Sequence, residues 1–149
     1  MKTRFVKAGI VRLSLSDNDW IDVKKRLNTA ETRRVFARMA RDLKVGEGYT
    51  FNPEQMGLSK VLEYLLGWSL TDEGTPVAYR PDMSVEERET IIGNLDPQTF
   101  KEIRDAIDAH EEREDAARAA EKNEAGEAML KATSPSPSIA IGNTPGLVN

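Results

Sequence analysis

Residues 10–23 read IVRLSLSDNDWIDV, and this stretch decides the fold class. Val11, Leu13 and Leu15 alternate with Arg12, Ser14 and Ser16, which is the period-2 pattern of a strand with one buried face. Ser16-Asp17-Asn18-Asp19 then supplies short polar side chains that bond to nearby backbone and favour a turn. Trp20, Ile21 and Val23 predict a second short strand, so the two runs form a β-hairpin. A helix beginning near Trp20 is the alternative reading of the second run.

The rest of the chain reads as helices. Asn28 with Glu31 three residues on has the spacing of a capping box, opening a helix over about residues 29–44. On that helix Val35, Phe36, Met39 and Leu43 share one arc, while Arg34, Arg38 and Arg41 form a ridge on the opposite side. Gly46-Glu47-Gly48 stops it; the third glycine of a dinucleotide fingerprint is missing, because Phe51 stands there. Asn52-Pro53 opens the next helix, where proline at the first position loses no hydrogen bond. Along it Leu58, Val61, Leu62, Leu65, Leu66 and Trp68 form a broad apolar face, with Ser59, Glu63 and Gly67 opposite. Thr71-Asp72-Glu73-Gly74 is a turn, and Pro76-Val77-Ala78-Tyr79 is short and extended. Ser84 and Glu87 make a second capping box for a helix to about Ile92. Asp96-Pro97 opens the last helix, with Phe100, Ile103, Ile107 and His110 as its buried stripe.

Past His110 the stripe ends. Residues 111–128 hold no large apolar side chain, and from Thr133 onward the sequence turns to Ser-Pro-Ser-Pro and small residues. The expected fold class is therefore α+β, mainly α with a small β-hairpin. A compact helical domain is followed by a polar helix and a disordered C-terminal tail. The boundaries are an N-terminal arm over 1–9, the compact domain over 10–112, the polar helical extension over 113–131 and the tail over 132–149. Leu62, Leu65, Phe36, Met39, Ile103 and Ile107 are expected in one core.

Composition argues against an enzyme. The 149 residues contain no cysteine and one histidine, so thiolate chemistry is excluded and no multi-histidine metal site can form within one chain. His110 is expected at the edge of the core with a ring nitrogen in water, and no nucleophile lies near it in sequence. Asp17-Asn18-Asp19 begins like a calcium loop, but Asp22 and Asn28 occupy the positions that need glycine and glutamate. No cofactor, metal or small-molecule substrate is expected. Trp20 and Trp68 are core or rim anchors. No signal peptide or membrane-spanning run is visible.

Charge is polarised. Residues 1–44 carry 12 basic and 5 acidic side chains, residues 45–100 carry 3 and 10, and residues 101–149 carry 6 and 10. The basic head and acidic remainder can pair within the fold or between subunits. The ridge Arg34, Arg38 and Arg41, with Glu111 and Glu114 at the start of the acidic extension, supplies the candidate partner-binding residues. Nucleic acid is not the expected partner, because the chain is acidic overall and no recognised zinc-finger or RNA-binding signature accompanies the arginines.

Three blocks in order resemble a known family. They are the stretch Leu15-Ser16-Asp17-Asn18-Asp19-Trp20-Ile21-Asp22-Val23-Lys24-Lys25 to Asn28; Tyr64-Leu65-Leu66-Gly67-Trp68-Ser69 to Val77; and Leu95-Asp96-Pro97-Gln98-Thr99-Phe100, running to Ala106-Ile107-Asp108-Ala109-His110. Together they cover about residues 10–115. The set resembles the tail assembly chaperones of long-tailed, non-contractile phages, in which glycine is frequent where Asn18 stands. The resemblance implies a non-catalytic protein that binds the tape-measure protein and keeps it soluble until tail-tube subunits displace it. It places the protein in the host cytoplasm during assembly and outside the mature virion. It also implies the tail-tube protein as a further contact, and in many members a longer form made by ribosomal frameshifting. The resemblance transfers no binding residue and no oligomeric state. The alternatives are a structural virion protein (a head–tail completion or minor tail subunit) and a small nucleic-acid-binding regulator.

One outcome follows from composition alone. Ending the chain at Lys131 should change the unfolding free energy by less than about 1 kcal/mol in a thermal melt, since nothing beyond it belongs to a core stripe. A larger loss would show that the tail packs.

Overall fold

The structure is a computed structural model that describes residues 4–40 and 53–133. Strand β1 (Ile10–Ser14) and strand β2 (Trp20–Lys24) form the expected antiparallel hairpin, with Leu13 opposite Ile21 and Val11 opposite Val23. Between them Asp17 and Asn18 adopt positive φ values of 56° and 64°, a conformation that Asp and Asn reach more easily than other side chains. Helix α1 (Thr29–Ala40) begins with the expected capping box. The Glu31 backbone N–H donates to Asn28 Oδ1 over 2.9 Å, and the Asn28 N–H donates to Glu31 Oε1 over 3.0 Å. The rest of the helix expected to residue 44, Arg41, the Gly46–Gly48 stop and the Asn52 cap lie outside the described residues.

Helix α2 (Pro53–Tyr64) is shorter than its apolar pattern predicts. Leu65–Trp68 leaves the helix and becomes strand β3, pairing antiparallel with β2. The hairpin thus grows into a three-stranded sheet in the order β1-β2-β3. A four-residue apolar run carries no reliable period, and here the unpaired edge of β2 captures it. Register shifts between Asp22 and Val23, so that Leu65 faces Val23 and Trp68 faces Ile21.

Strands β4 (Thr71–Asp72) and β5 (Thr75–Pro76) make a small second hairpin. Its two central residues, Glu73 and Gly74, both have positive φ, at 48° and 82°. Of the expected extended segment, Val77–Tyr79 continues past that hairpin and lies along β3. Trp68 Nε1 donates to Val77 O over 2.8 Å, and the Trp68 and Tyr79 rings lie 5.0 Å apart. Helix α3 (Val85–Gly93) carries the Ser84–Glu87 capping box, and helix α4 (Pro97–Thr133) is capped by Asp96 Oδ2, which accepts from the N–H groups of Gln98 and Thr99. The chain divides into one unit to Glu114 and a second from Asp115. In the second, every residue from 115 to 127 is exposed, in keeping with the absence of large apolar side chains from that stretch. The tail expected over 132–149 falls, beyond Thr133, outside the described residues.

The core lies between one face of the sheet and the helices of the first unit. Leu13, Ile21, Val23 and Leu65 meet Val61 and Leu62 of α2, Ile92 of α3, and Ile103 and Ile107 of α4. The stripe on α4 falls where its 3-4 spacing places it. Two expected core residues do not: Phe36 is 56% exposed, and Met39 is half-buried outside this cluster. The reason is that α1 is rotated about a quarter turn from its apolar arc, so its buried side runs through Glu31, Val35 and Arg38.

Leu65→Ala should therefore cost about 2–5 kcal/mol in urea unfolding, since the side chain is fully enclosed. Phe36→Ala should cost well under that, and a reversal of the two would contradict the observed rotation of α1.

Candidate functional site

The polar side of α2, opposite its apolar arc, and the arginine ridge of α1 turn out to face each other. Ser59 and Glu63, opposite the apolar arc of α2, are only 2% and 4% exposed. Ser59 Oγ donates to the Val35 carbonyl over 2.8 Å, which fixes α1 against α2. One turn on, the Glu63 carboxylate receives three cations. Arg34 Nη2 donates to Oε1 over 2.6 Å, Arg38 Nη1 donates to Oε2 over 2.9 Å, and Lys24 Nζ lies 3.4 Å from Oε1. Lys24 comes from β2, the two arginines from α1, and the carboxylate from α2. Lys24 also pairs with Glu31, the residue that caps α1.

The ridge expected to bind a partner is thus corrected. Arg38, with a side chain only 15% exposed, is an internal strut, and Arg34 reaches Glu63 from a more exposed position. Helical phase gives the angle between side chains but not which side meets a neighbour, and a buried carboxylate on α2 reverses the assignment. Burial pushes the Glu63 carboxyl upward. Hydrogen bonds from Arg34 and Arg38 and the charge of Lys24 outweigh that, so its pKa lies below the ordinary carboxylate value.

The acidic candidates are likewise occupied. Glu111 Oε1 is 2.7 Å from Lys60 Nζ, and Glu111 Oε2 accepts from Tyr64 Oη over 2.8 Å. Glu114 accepts from Arg26 Nε over 2.9 Å. Lys60 also holds Asp108 at 2.9 Å; burial lowers its pKa, but the hydrogen bonds it donates to Glu111 and Asp108 raise it above the ordinary lysine value. Of the five residues chosen from sequence, four serve intramolecular ion pairs, and Arg41 lies outside the described residues. The polarised charge pairs inside the fold at these places: Lys24, Arg26, Arg34 and Arg38 all meet carboxylates beyond residue 60.

His110 is also placed differently from its expectation. It is 2% exposed, its Nε2 lies 2.9 Å from the Lys25 carbonyl, and the Tyr64 ring stands edge-on to it at 6.3 Å. It bonds backbone where water was expected, because the chain between β2 and α1 closes over it.

These contacts draw the three sequence blocks together. Ser69 Oγ donates to Asp19 Oδ1 over 2.8 Å, and the Trp20 N–H donates to Ser69 Oγ over 2.9 Å. Ser16 Oγ donates to Glu102 Oε2 over 3.0 Å, tying the β1–β2 turn to α4, as Lys25 and His110 do further along. The two tryptophans sit half-buried at the rim, with the Arg12 guanidinium 3.4 Å above the Trp20 ring and bonded to Asp22 at 2.8 Å. Among the described residues no group of three or more histidine or acidic side chains could hold a metal ion, and no helix is long and apolar enough to cross a membrane. Compared with models of protein families, with curated proteins and with solved structures, the chain matches none.

The Glu63 cluster sets a pH dependence with a definite sign. The folded pKa is depressed below the unfolded value of about 4.3, so the stabilisation is complete above that value and is lost as the pH falls through the folded pKa. Urea melts between pH 7 and 3 should show this loss. Glu63→Gln should lower stability at pH 7 by about 1–3 kcal/mol and flatten the acid limb. An unchanged acid limb would mean that Glu63 is not the group lost.

Proposed function

We propose that this protein is a non-catalytic tail assembly chaperone that binds a phage tape-measure protein and keeps it soluble until the tail tube polymerises. The observation that carries the reading is the ordered resemblance of three blocks spanning about residues 10–115. Two structural features support it. The blocks meet in space through Asp19, Trp20 and Ser69, through Ser16 and Glu102, and through Lys25 and His110, as segments that act as one unit would. Asn18, which stands where the family often has glycine, takes φ 64°, the left-handed conformation that glycine adopts most readily and that asparagine tolerates.

The physical demands of such a role are simple. The client is long and striped with apolar helices, so its free surface must be covered by a well-solvated partner. Charged residues make up 31% of this chain, and residues 115–127 are exposed throughout, which keeps a complex in solution. Arg34, Arg38, Glu111 and Glu114 are engaged within the fold, so client contacts fall to other surfaces. Charge reversal at Arg34 or Arg38 would test the integrity of the α1–α2 contact before it tested any partner. The location that goes with this role is the host cytoplasm during assembly.

Co-expression with the tape-measure protein encoded nearby should raise the soluble fraction of that protein severalfold, and the pair should co-purify. Mass spectrometry of purified particles should find this chain absent. Stoichiometric copies in mature virions would overturn the proposal in favour of a structural tail or head–tail subunit.

A further inference from the structure

The sheet has two edges, and they are treated differently. Val77–Tyr79 runs beside β3, where the Trp68 indole N–H donates to Val77 O and the Val77 N–H donates to Leu70 O. Among the described residues nothing pairs with the outer edge of β1. The Leu15 N–H donates to Asp19 O and the Lys25 N–H donates to Gly9 O, each over 2.8 Å. Odd-numbered residues of β1 therefore bond to β2, and Ile10, Arg12 and Ser14 turn their N–H and C=O groups away from the sheet. An open edge of this kind is a template for another strand.

The side chains around it state what that strand should be. Four large hydrophobics stand out as exposed among the described residues, and three of them, Phe5 at 86%, Val6 at 40% and Ile10 at 70%, lie on this edge or just before it. Val11 is half-buried at the lip of the core. From Arg4 to Ser16 the chain carries Arg4, Lys7 and Arg12 and no acidic residue, and of these Arg12 is already paired with Asp22 across the hairpin, so Arg4 and Lys7 set the charge of this approach. A second copy would bring the same positive charges of Arg4 and Lys7 alongside and is disfavoured. An acidic strand would complement them.

We propose that β1 and the segment before it form a strand-addition site for an extended, acidic segment of another protein, one that alternates carboxylate with apolar side chains. Its apolar side chains extend the face of Val11 and Leu13, and its carboxylates lie on the face of Ile10 and Arg12. Main-chain hydrogen bonds to Ile10, Arg12 and Ser14 set the register, and charge sets the choice of partner. The site stands on the edge geometry and holds whether or not the tail-assembly reading does.

The test uses the full chain and a blocked ten-residue peptide of alternating glutamate and valine. Matched peptides carry lysine for glutamate, or proline for every second residue. Amide hydrogen exchange by NMR is the readout. The glutamate–valine peptide should bind and slow exchange at Ile10, Arg12 and Ser14 by at least about tenfold. The lysine and proline peptides should bind at least about tenfold more weakly. Ile10→Pro removes an outward N–H at the first position of the strand and should abolish the protection; if that variant is misfolded by circular dichroism, the peptide series decides. Equal binding of the proline peptide, or binding without protection of those three amides, would overturn the proposal, as would no binding at millimolar peptide. Protection that exists without peptide and disappears on dilution would identify a second copy as the occupant and overturn it too.

Discussion

A single buried carboxylate organises the helical side of this molecule. Glu63 sits on α2 with almost no solvent exposure, and a charge in that position requires partners. Two elements meet that requirement: β2 sends Lys24, and α1 sends Arg34 and Arg38. The orientation of α1 follows. To bring both arginines to Glu63 the helix turns its apolar arc partly away, which leaves Phe36 exposed and brings Val35 and Ser59 into contact. Lys24 adds a link from the sheet, and through Glu31 it joins the cap of α1 to the same cluster. Removing a cation from such a group costs more than the pair is worth, because Glu63 stays buried.

Apolar packing does the complementary work on the other side of α2. Val61 and Leu62 meet the sheet, α3 and α4 in one continuous cluster. Helix α2 is thus enclosed on two sides, by an oily contact on one and an ionic contact on the other. The division explains why its sequence looks ordinarily amphipathic although little of its middle is exposed. It also explains why β3 can follow α2 directly: Leu65 passes from the helix into the sheet while remaining in the same core.

The functional surfaces follow from what the fold uses up. Arg34, Arg38, Glu111 and Glu114 are bound within the chain, and His110 is closed over by backbone. Among the described residues, what stays unpaired is the outer edge of β1 with its basic, apolar approach.

The sequence by itself determined everything governed by neighbours a few residues apart. The β1–β2 hairpin, the capping boxes at Asn28–Glu31 and Ser84–Glu87, the Asp96-Pro97 start of α4 and the stripe Ile103–Ile107 are all local, because caps, turns and periodicity act within one or two turns of chain. The α+β class was legible for the same reason. Tertiary structure alone decided that Leu65–Trp68 is a strand, since the edge that captures it lies over 40 residues earlier. It alone decided which side of α1 is buried, because Arg34 and Arg38 were drawn as a surface ridge until a carboxylate 25 or more residues away claimed them. Periodicity fixes angles between side chains on one helix; only the partner element, through the cost of burying a lone charge, fixes which angle points inward.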